Sequence, residues 1–326
     1  MKLFSGTPLS QFSDRPAEPQ AQKESGRAKP KGGEAAAPEA GPKAGPKSGP
    51  KADTGAVRAV PGIPEAPATT PLRIMPLSRL AAGGRWRIEA MRSISEPLLL
   101  WFTRGQGRIT VGGVTRGYGV HNAVFIPAGT MYGYEAGPQT YGSAVFFGRG
   151  CTLDLPAAPL HLRVRDVGPQ AELSGLIDNI QRELESGRPG ADRAARHHLG
   201  LLGVWLERNG ETAPDGRKPD AARRLAARYT ELLEDEFRSG KGVSDYARAL
   251  GVTPTHLTRV CNQTCGRSAS DLLHDRVIFE ARMMLSETRL PIAHIAEALG
   301  FTSAAYFTRA FQHRTGKTPS AFRRSG

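Results

Sequence analysis

The chain has 326 residues but only three cysteines and no long apolar run. Cys151, Cys261 and Cys265 are too few to build a disulfide framework. No stretch approaches the roughly 18 consecutive apolar residues that cross a bilayer, and the first twenty residues lack the apolar segment of a signal peptide. We therefore expect a reduced, cytoplasmic protein with no membrane partner.

Histidine is absent from the first 120 residues, and His121 then stands alone. Because a metal site needs several ligands, a lone histidine is more often a structural hydrogen-bonding group. The adjacent His197 and His198 point to different faces of a predicted helix, which favours a solvated pair over a metal site. The sequence predicts neither a metal nor another cofactor.

Basic charge is what the chain has in excess, with a formal net charge of +13. From Arg217 onward, 18 Lys and Arg stand against 11 Asp and Glu. A basic excess at one end suits a polyanionic partner, although many soluble proteins are basic.

Residues 1–70 are rich in Ala, Gly, Pro and Lys and contain a Gly-Pro-Lys near-repeat over 41–52. Such a segment buries too little apolar surface to offset the loss of chain entropy on folding. We expect a disordered, solvated tail. The alternative is that its lysines contact nearby phosphates.

Residues 71–167 consist of short apolar runs separated by glycines. The pair Gly112-Gly113 suits a two-residue hairpin turn. Several strands at close spacing with Gly turns are typical of an antiparallel sandwich or barrel. Strands are predicted at 86–91, 98–102, 107–111, 124–126 and 143–147.

A helical hairpin is predicted over 168–209. Leucine and isoleucine recur at spacings of three and four in each half, and 187–190 breaks between them. Residues 210–220 are predicted to be a linker, because they hold turn residues and little that can pack. The remainder, 221–326, is predicted to be all-helical.

The helical end contains one small construction twice, at 243–261 and 292–311. Each copy is a short amphipathic helix ending in Ala-Leu-Gly, a tight turn, and a second helix with an arginine eight or nine residues past the turn glycine. A compact helix pair bent at a glycine is the helix-turn-helix shape, whose second helix lies in the DNA major groove. A predicted helix over 270–286 joins the copies and spans roughly 25 Å, the scale of one DNA turn of about 34 Å.

In each second helix, the helical period separates inward apolar residues from an outward set. Thr253 and Ser303 are the predicted N-caps. Outward arginine suits guanine edges, and a good bidentate pair discriminates by roughly 1–3 kcal/mol. The alternative is that any two-layer helical protein exposes arginines here. The outward set consists of Thr255, His256 and Arg259 in the first copy and Ala304, Ala305, Tyr306 and Arg309 in the second.

Cys261 and Cys265 lie one helical turn apart, which is compatible with a redox switch. Cys261 falls on an inward position, however, so a buried apolar role is favoured.

Residues 223–324 resemble the DNA-binding domain of the AraC/XylS family of transcription regulators. The matching strings are LGVTPTHLTR (250–259), ARMMLSET (281–288), IAHIAEALGF (292–301), YFTRAF (306–311) and GKTPSAFR (316–323). The resemblance implies two adjacent major-groove contacts on double-stranded DNA, made by the outward set with Ser303 at the start of the second reading helix. Family members often carry longer polar side chains where Ala304 and Ala305 stand, so the second helix is expected chiefly to contact phosphate.

The strand-rich region is similar to the cupin-like sensor that precedes this domain in many family members, at 101–113 and 119–132. Cupin metal cages use several histidines, which are missing here, and Tyr132 stands where the later one is expected. A metal-free domain that binds an unknown small-molecule effector fits better. The candidate pocket walls, which are equally well explained as core, are Trp86, Trp101, Phe102, Tyr132 and Tyr134.

The sequence thus predicts a multidomain α+β protein: a disordered tail, a cupin-like antiparallel β-barrel with a helical hairpin that mediates homodimerisation, and an all-α domain with two helix-turn-helix units. Its expected role is effector-controlled, sequence-specific transcription regulation, with no enzymatic activity and with RNA polymerase as a candidate partner. The rival interpretations are a cupin enzyme with an appended helical domain and a nonspecific architectural DNA-binder.

Overall fold

The computed structural model describes residues 70–82, 84–137, 139–211 and 220–325. The predicted tail therefore lies almost entirely outside the described residues, as does most of the predicted linker. Of the described residues, 70–211 form a β-rich part with a helical hairpin, and 220–325 are helical.

The β-rich part contains strands of three to seven residues and two single-turn helices. In chain order they are β1 (Arg73–Pro76), α1 (Leu77–Leu80), α2 (Trp86–Glu89), β2 (Leu98–Arg104), β3 (Gly107–Val111), β4 (Val114–Tyr118), β5 (Asn122–Ile126), β6 (Tyr132–Tyr134), β7 (Tyr141–Phe146) and β8 (Leu160–Arg163).

The strands form two antiparallel sheets, one of order β1-β7-β2-β5-β8 and one of order β4-β3-β6. Alternate residues of β2 enter different cores: Leu98, Leu100 and Phe102 pack between the two sheets, in what we call the inter-sheet core. Leu99 and Trp101 pack on the opposite face. Because β2 is buried on both faces, its sequence is an unbroken apolar run rather than an alternating one.

The predicted turn at Gly112-Gly113 is confirmed. It joins β3 to β4, and the two residues have φ of 54° and 72°. Positive φ at both central positions is the requirement of the type I′ hairpin turn, which glycine meets without strain.

The strand predicted at 86–91 is wrong, because Trp86–Glu89 form the helix α2. The alternation suggested a half-buried strand, but the Trp86 ring packs on Phe279 and Phe322 of the helical part instead of on a sheet. The β-type pairing in this region is an isolated antiparallel bridge between Arg92, just after the predicted strand, and Tyr132. Contacts made by residues distant in sequence thus override the local pattern.

The predicted hairpin consists of α3 (Val167–Ser186) and α4 (Ala191–Glu211), so α4 continues into the start of the predicted linker. Its apolar face covers the five-stranded sheet. Leu173, Ile177 and Trp205 share one cluster with Leu99 and Trp101, which we call the hairpin core. The hairpin is therefore an integral layer of the β-rich part.

The C-terminal part is all-helical, as predicted. Its helices are α5 (Ala221–Glu236), α6 (Val243–Ala249), α7 (Pro254–Cys265), α8 (Ala269–Glu287), α9 (Ile292–Ala298), α10 (Ala304–Thr315) and α11 (Pro319–Ser325). The expected joining helix is α8, which at 19 residues is about 28 Å long. It is buried along most of its length because both helix pairs pack against it.

Candidate nucleic-acid interface

The first candidate reading helix, α7, begins as its sequence predicts. The Thr253 hydroxyl accepts a hydrogen bond from the His256 amide at 3.2 Å, and Pro254 occupies the first turn. Both features satisfy or remove amide groups that would otherwise lack partners at a helix start. Leu257, Val260 and Cys261 are buried, which fixes the rotation of α7 about its axis.

That rotation leaves Thr255, His256 and Arg259 exposed on one side of α7. Arg259 Nη2 donates to His256 Nδ1 at 3.0 Å, so the histidine positions the guanidinium near the start of the helix. The guanidinium has five donors, and only one of them is used in this contact. The remaining donors stay available to an acceptor outside the protein.

The second candidate reading helix, α10, has the same construction. The Ser303 hydroxyl accepts from the Tyr306 amide at 3.2 Å, while Phe307 and Phe311 are buried. Ala305, Tyr306 and Arg309 are exposed, with the Tyr306 side chain at 54%.

Ala304 departs from the outward set, because it is half-buried and packs against the helical core. The outward face of α10 therefore begins at Ala305. The exposed set Ala305, Tyr306 and Arg309 offers fewer polar groups than Thr255, His256 and Arg259 on the first helix.

The two turns differ in how tightly they are packed. Gly251 has φ of 71° with open space around it, whereas Gly300 has φ of 77° and packs directly against the backbone of Gly240. A Cβ at Gly300 would lie 2.5 Å from the carbonyl oxygen of Arg238. The turn of the second unit thus rests on the loop that precedes the first unit, which ties the two units together.

A buried ion cluster attaches α8 to α5. Arg276 is 5% exposed, and its guanidinium donates to both oxygens of Glu234, at 2.7 and 2.9 Å, and to Glu280 at 2.9 Å. It also lies 3.8 Å from the centre of the Phe237 ring. Burial alone would raise the pKa of Glu280, but Arg276 and Arg238 outweigh it and hold that pKa below its usual range.

A second polar cluster attaches α8 to the end of α10. Arg314 donates to Asp271 Oδ1 at 3.1 Å and to His274 Nδ1 at 2.9 Å. The Ser268 hydroxyl and then Arg314 lower the pKa of Asp271, so this carboxylate remains charged. Helix α8 is therefore joined to α5 and to the second helix pair through specific polar groups, in addition to its apolar packing.

Cys261 and Cys265 are free and buried. Burial raises the pKa of the Cys261 thiol to about 12, which disfavours the reactive thiolate. The apolar role expected for Cys261 agrees with its place in the core.

The five candidate effector-pocket side chains do not line one cavity. Phe102, Tyr132 and Tyr134 are packed in the inter-sheet core, whereas Trp101 belongs to the hairpin core. Phe102 stacks on Tyr118 with the ring centres 4.0 Å apart. Trp86 lies outside both cores, on α2.

Trp86 instead joins the β-rich part to the helical part. Its ring lies 5.7 Å from that of Phe279 on α8 and 5.9 Å from that of Phe322 on α11. Met91 and Met131 are buried in the same cluster as the core of the helical part. We call this apolar contact the interdomain contact.

The hairpin turn between β3 and β4 extends the interdomain contact. A Cβ at Gly113 would lie 3.0 Å from the carbonyl oxygen of Ala226 on α5. The Thr115 hydroxyl of β4 donates to the carbonyl oxygen of Cys265, the last residue of α7, at 3.3 Å. The candidate reading helix α7 thus ends against a strand of the β-rich part.

Within the described ranges, none of the helices combines the length and apolar character of a bilayer span. The same residues contain no group of three or more His, Cys, Asp or Glu side chains placed to hold a metal ion.

An open cleft that was not foreseen from the sequence borders two of the predicted pocket residues, because its Tyr118 stacks on Phe102 and its His121 stacks on Trp101. It is formed by residues 117–122 together with Arg163, Val164, Arg165 and Gln170. The strand β8, which places Arg163, was not predicted. The signal that could have identified it is the alternation of apolar and basic residues over 160–165.

A helix-turn-helix domain model matches residues 246–325. The arabinose operon regulatory protein of Escherichia coli K12 is 29% identical over 125 residues, which are 38% of this chain and 43% of that protein. Its counterpart in Salmonella typhimurium is 35% identical over 33% of this chain and 36% of its own length. The transcriptional activator RhaR of Escherichia coli O1:K1 is 25% identical over 50% of this chain and 57% of its own.

Among solved structures, the C-terminal domain of AraT, a response regulator from Geobacillus stearothermophilus, aligns with a TM-score of 0.30 at 30% identity over 34% of this chain and 89% of that domain. ToxT from Vibrio cholerae O395 aligns with a TM-score of 0.37 at 10% identity over 78% of this chain and 97% of its own.

The matched segment and the paired helices define the C-terminal part as a helix-turn-helix domain. Within that class, it is of the AraC/XylS type, and the sequence relatives of the chain are transcription regulators. The matched regions span between 36% and 57% of those three relatives.

Proposed function

We propose that this chain is a sequence-specific DNA-binding transcription regulator, without enzymatic activity, whose β-rich part responds to a small-molecule effector. The observation that carries the proposal is the pair of capped helices, α7 and α10, held on the single scaffold helix α8. Each has an arginine on its exposed side, Arg259 or Arg309. Double-stranded DNA offers phosphates and base edges to two such helices in adjacent major grooves.

Base reading is assigned mainly to α7. Arg259 is exposed and is oriented by His256, and its planar fork suits the two acceptors of a guanine edge. Thr255 beside it suits a thymine methyl or a phosphate. On α10, Arg309 and the exposed Tyr306 are assigned chiefly to phosphate, with Ser303 and Ala305 close to the backbone, because this face carries few base-reading donors.

Replacing Arg259 with alanine is expected to relax base preference at one position of the DNA site by about 1–3 kcal/mol, because a bidentate guanine contact is lost. Binding of the full chain to a selected duplex and to single-position variants measures this. Arg309→Ala is the matched comparison, which should weaken all duplexes about equally. Equal weakening of every duplex by Arg259→Ala would make Arg259 a phosphate contact.

The rival interpretations predict different results. A nonspecific architectural binder would hold the selected duplex and competitor DNA equally at physiological salt. A cupin enzyme would contain bound metal after purification, which elemental analysis detects. Tighter binding of the selected duplex than of competitor DNA, by protein that contains no metal, supports the proposed function.

Homodimerisation is assigned to the outer face of α4. The inner face is occupied by the hairpin core, but Leu201 and Val204, three residues apart, are 56% and 38% exposed. Apolar side chains at this spacing lie side by side on a helix surface and suit a self-complementary contact. RNA polymerase remains a candidate partner of the DNA-bound form.

The double change Leu201→Glu with Val204→Glu is expected to convert the dimer into a monomer, because it places like charges in an apolar contact. Sedimentation equilibrium of the full chain measures the change. Arg193→Gln, an exposed change about two turns before Leu201 on the same helix, should leave the dimer intact. A dimer that persists in the double variant assigns the interface elsewhere.

The interdomain contact is the proposed route from the β-rich part to the DNA-binding part. It joins α2 to α8 and α11 through Trp86, and β4 to the end of α7 through Thr115. An effector acts on DNA binding only if it has different affinities for the docked and released arrangements.

Trp86→Ala is expected to weaken the interdomain contact by about 2 kcal/mol, because the tryptophan loses its aromatic neighbours and part of its apolar burial. The radius of gyration of the full chain, from small-angle scattering, should increase. Trp86→Phe keeps a ring at the contact and should remain close to the unaltered protein. An unchanged radius in Trp86→Ala would show that Trp86 does not hold the two parts together.

A further inference from the structure

The open cleft has a volume of about 510 Å³ and lies at the far end of β4 from the interdomain contact. One wall is residues 117–122, which comprise the end of β4, the turn that follows it and the first residue of β5. The other is the segment that leads from β8 into α3, with Gln170 of the first turns of α3. The volume is within the range of small-molecule sites in proteins, about 300–1,000 Å³.

Two arginines of this cleft have no ionic partner. Arg163 and Arg165 are exposed, and neither forms an ion pair with a carboxylate in the part of the chain that the structure describes. They are separated by one residue of extended chain, so their side chains leave the same face. Arg73 and Arg108 of the same part are paired instead, with Glu96 and Glu135.

The backbone around these arginines is held by side-chain hydrogen bonds. Gln170 Nε2 donates to the carbonyl oxygens of Val164 and Arg165, at 2.8 and 3.1 Å. Asn122, which is 5% exposed, donates to the carbonyl oxygen of Val120 at 3.2 Å and accepts from His161 Nε2 at 3.0 Å. The cleft is therefore built before any ligand arrives, which lowers the entropic cost of binding.

His121 adds an unusual feature to the same wall. It has φ of 58°, and no other non-glycine residue in the described ranges has a positive φ. Its amide donates to the carbonyl oxygen of Phe102 at 2.7 Å, its own carbonyl oxygen accepts from the Val164 amide at 3.0 Å, and its ring stacks on Trp101. Strained conformations that the surroundings enforce in this way are concentrated at binding sites.

We propose that this cleft binds a small organic anion, with Arg163 and Arg165 contacting its carboxylate or phosphate group. Guanidinium groups bind such oxyanions through paired, charge-assisted hydrogen bonds. The His121 ring and the exposed Val120 side chain supply an apolar wall for the body of the ligand. The assignment rests on the proposed function, because it names the class of effector, and it places the effector outside the inter-sheet core.

The strand β4 links this cleft to the DNA-binding part. Gly117 and Tyr118 at its end line the cleft, while Thr115 donates to Cys265 at the end of α7. The two contacts are two to three residues apart, which is about 10 Å or less along a strand. An anion that shifts the end of β4 therefore acts close to a reading helix.

Calorimetric titration of the full chain tests the proposal with three probes: succinate, inorganic phosphate and the neutral succinamide, at an ionic strength matched with sodium chloride. We expect saturable binding of at least one anion and none of succinamide. The double change Arg163→Gln with Arg165→Gln should weaken that binding about tenfold or more, because charge-assisted contacts are lost. Arg188→Gln, an exposed arginine in the turn between α3 and α4, should bind as the unaltered protein does.

Tighter binding of succinate identifies a carboxylate ligand, and tighter binding of phosphate identifies a phosphorylated one. The proposal is overturned if neither anion saturates, if succinamide binds equally, or if the double variant binds normally. Duplex binding by the same preparations distinguishes the anion-site proposal from the proposed function. Specific DNA binding without anion binding would contradict only the anion site in the cleft. Anion binding without DNA binding removes the proposed function and leaves the site.

Discussion

Replacing Gly300 with alanine is expected to destabilise the chain by about 3 kcal/mol or more, whereas the same change at Gly251 costs about 1 kcal/mol. Both glycines end the first helix of a unit, and both have positive φ, at 77° and 71°. A side chain is strained at either position. Only at Gly300 would its Cβ also meet another segment, 2.5 Å from the carbonyl oxygen of Arg238.

Urea denaturation of the full chain, followed by circular dichroism, measures the two changes side by side. Because the helices at the two turns are similar, the difference in unfolding free energy reports the close approach of Gly300 to Gly240. Equal losses would mean that the Gly240 loop moves aside at little cost. In that case the contact would not hold the second unit against the first.

The structure of the helical part could be predicted from the sequence because the patterns that specify it are local and occur twice. In each unit, the spacing of residues along the helix predicts the N-cap, the glycine at the bend and the buried residue of the second helix. These residues are Thr253, Gly251 and Leu257 in the first unit and Ser303, Gly300 and Phe307 in the second. Each local preference agrees with the observed packing, which is the condition under which sequence patterns are reliable. Ala304 is the exception, since its burial depends on how α10 seats against the rest of the core.

The structure of the β-rich part was harder to predict from the sequence, because it depends on contacts between residues that are far apart in the chain. Trp86 belongs to a pattern that suggests a strand, yet its neighbours are Phe279 and Phe322, about two hundred residues later. The candidate pocket failed to form one cavity for a related reason. Phe102 and Trp101 are adjacent in sequence but face opposite sides of one sheet.

The ion cluster at Arg276 was also missed by sequence reasoning. Its partner Glu280 is one turn away on the same helix, a spacing that is more common in weak surface pairs. Burial of the cluster becomes evident only when α5 brings Glu234 and Phe237 over the guanidinium. Breaking a buried ion pair costs more unfolding free energy than breaking an exposed one, and this difference can be measured.

Replacing Arg276 with alanine is expected to destabilise the chain by about 3–5 kcal/mol, because Glu234 and Glu280 then lose their shared partner in a buried site. Arg248→Ala is the matched control. Arg248 also pairs with a carboxylate, Asp245, but its side chain is 78% exposed, and such pairs contribute about 1 kcal/mol or less. Urea denaturation at neutral pH compares the two variants, and losses of similar size would contradict the assignment of a buried cluster.

The pH dependence of the unfolding free energy provides a second test of the Arg276 cluster. Because the folded-state pKa of Glu280 lies below its unfolded value of about 4.3, its stabilising contribution is complete above that value and is lost as the pH falls through the folded-state pKa. In Arg276→Ala the chief cause of the lowered pKa is removed. The variant should therefore lose less stability than the unaltered protein when the pH is lowered from about 6 to about 3. If both proteins show the same acid dependence, Arg276 does not control the charge of Glu280.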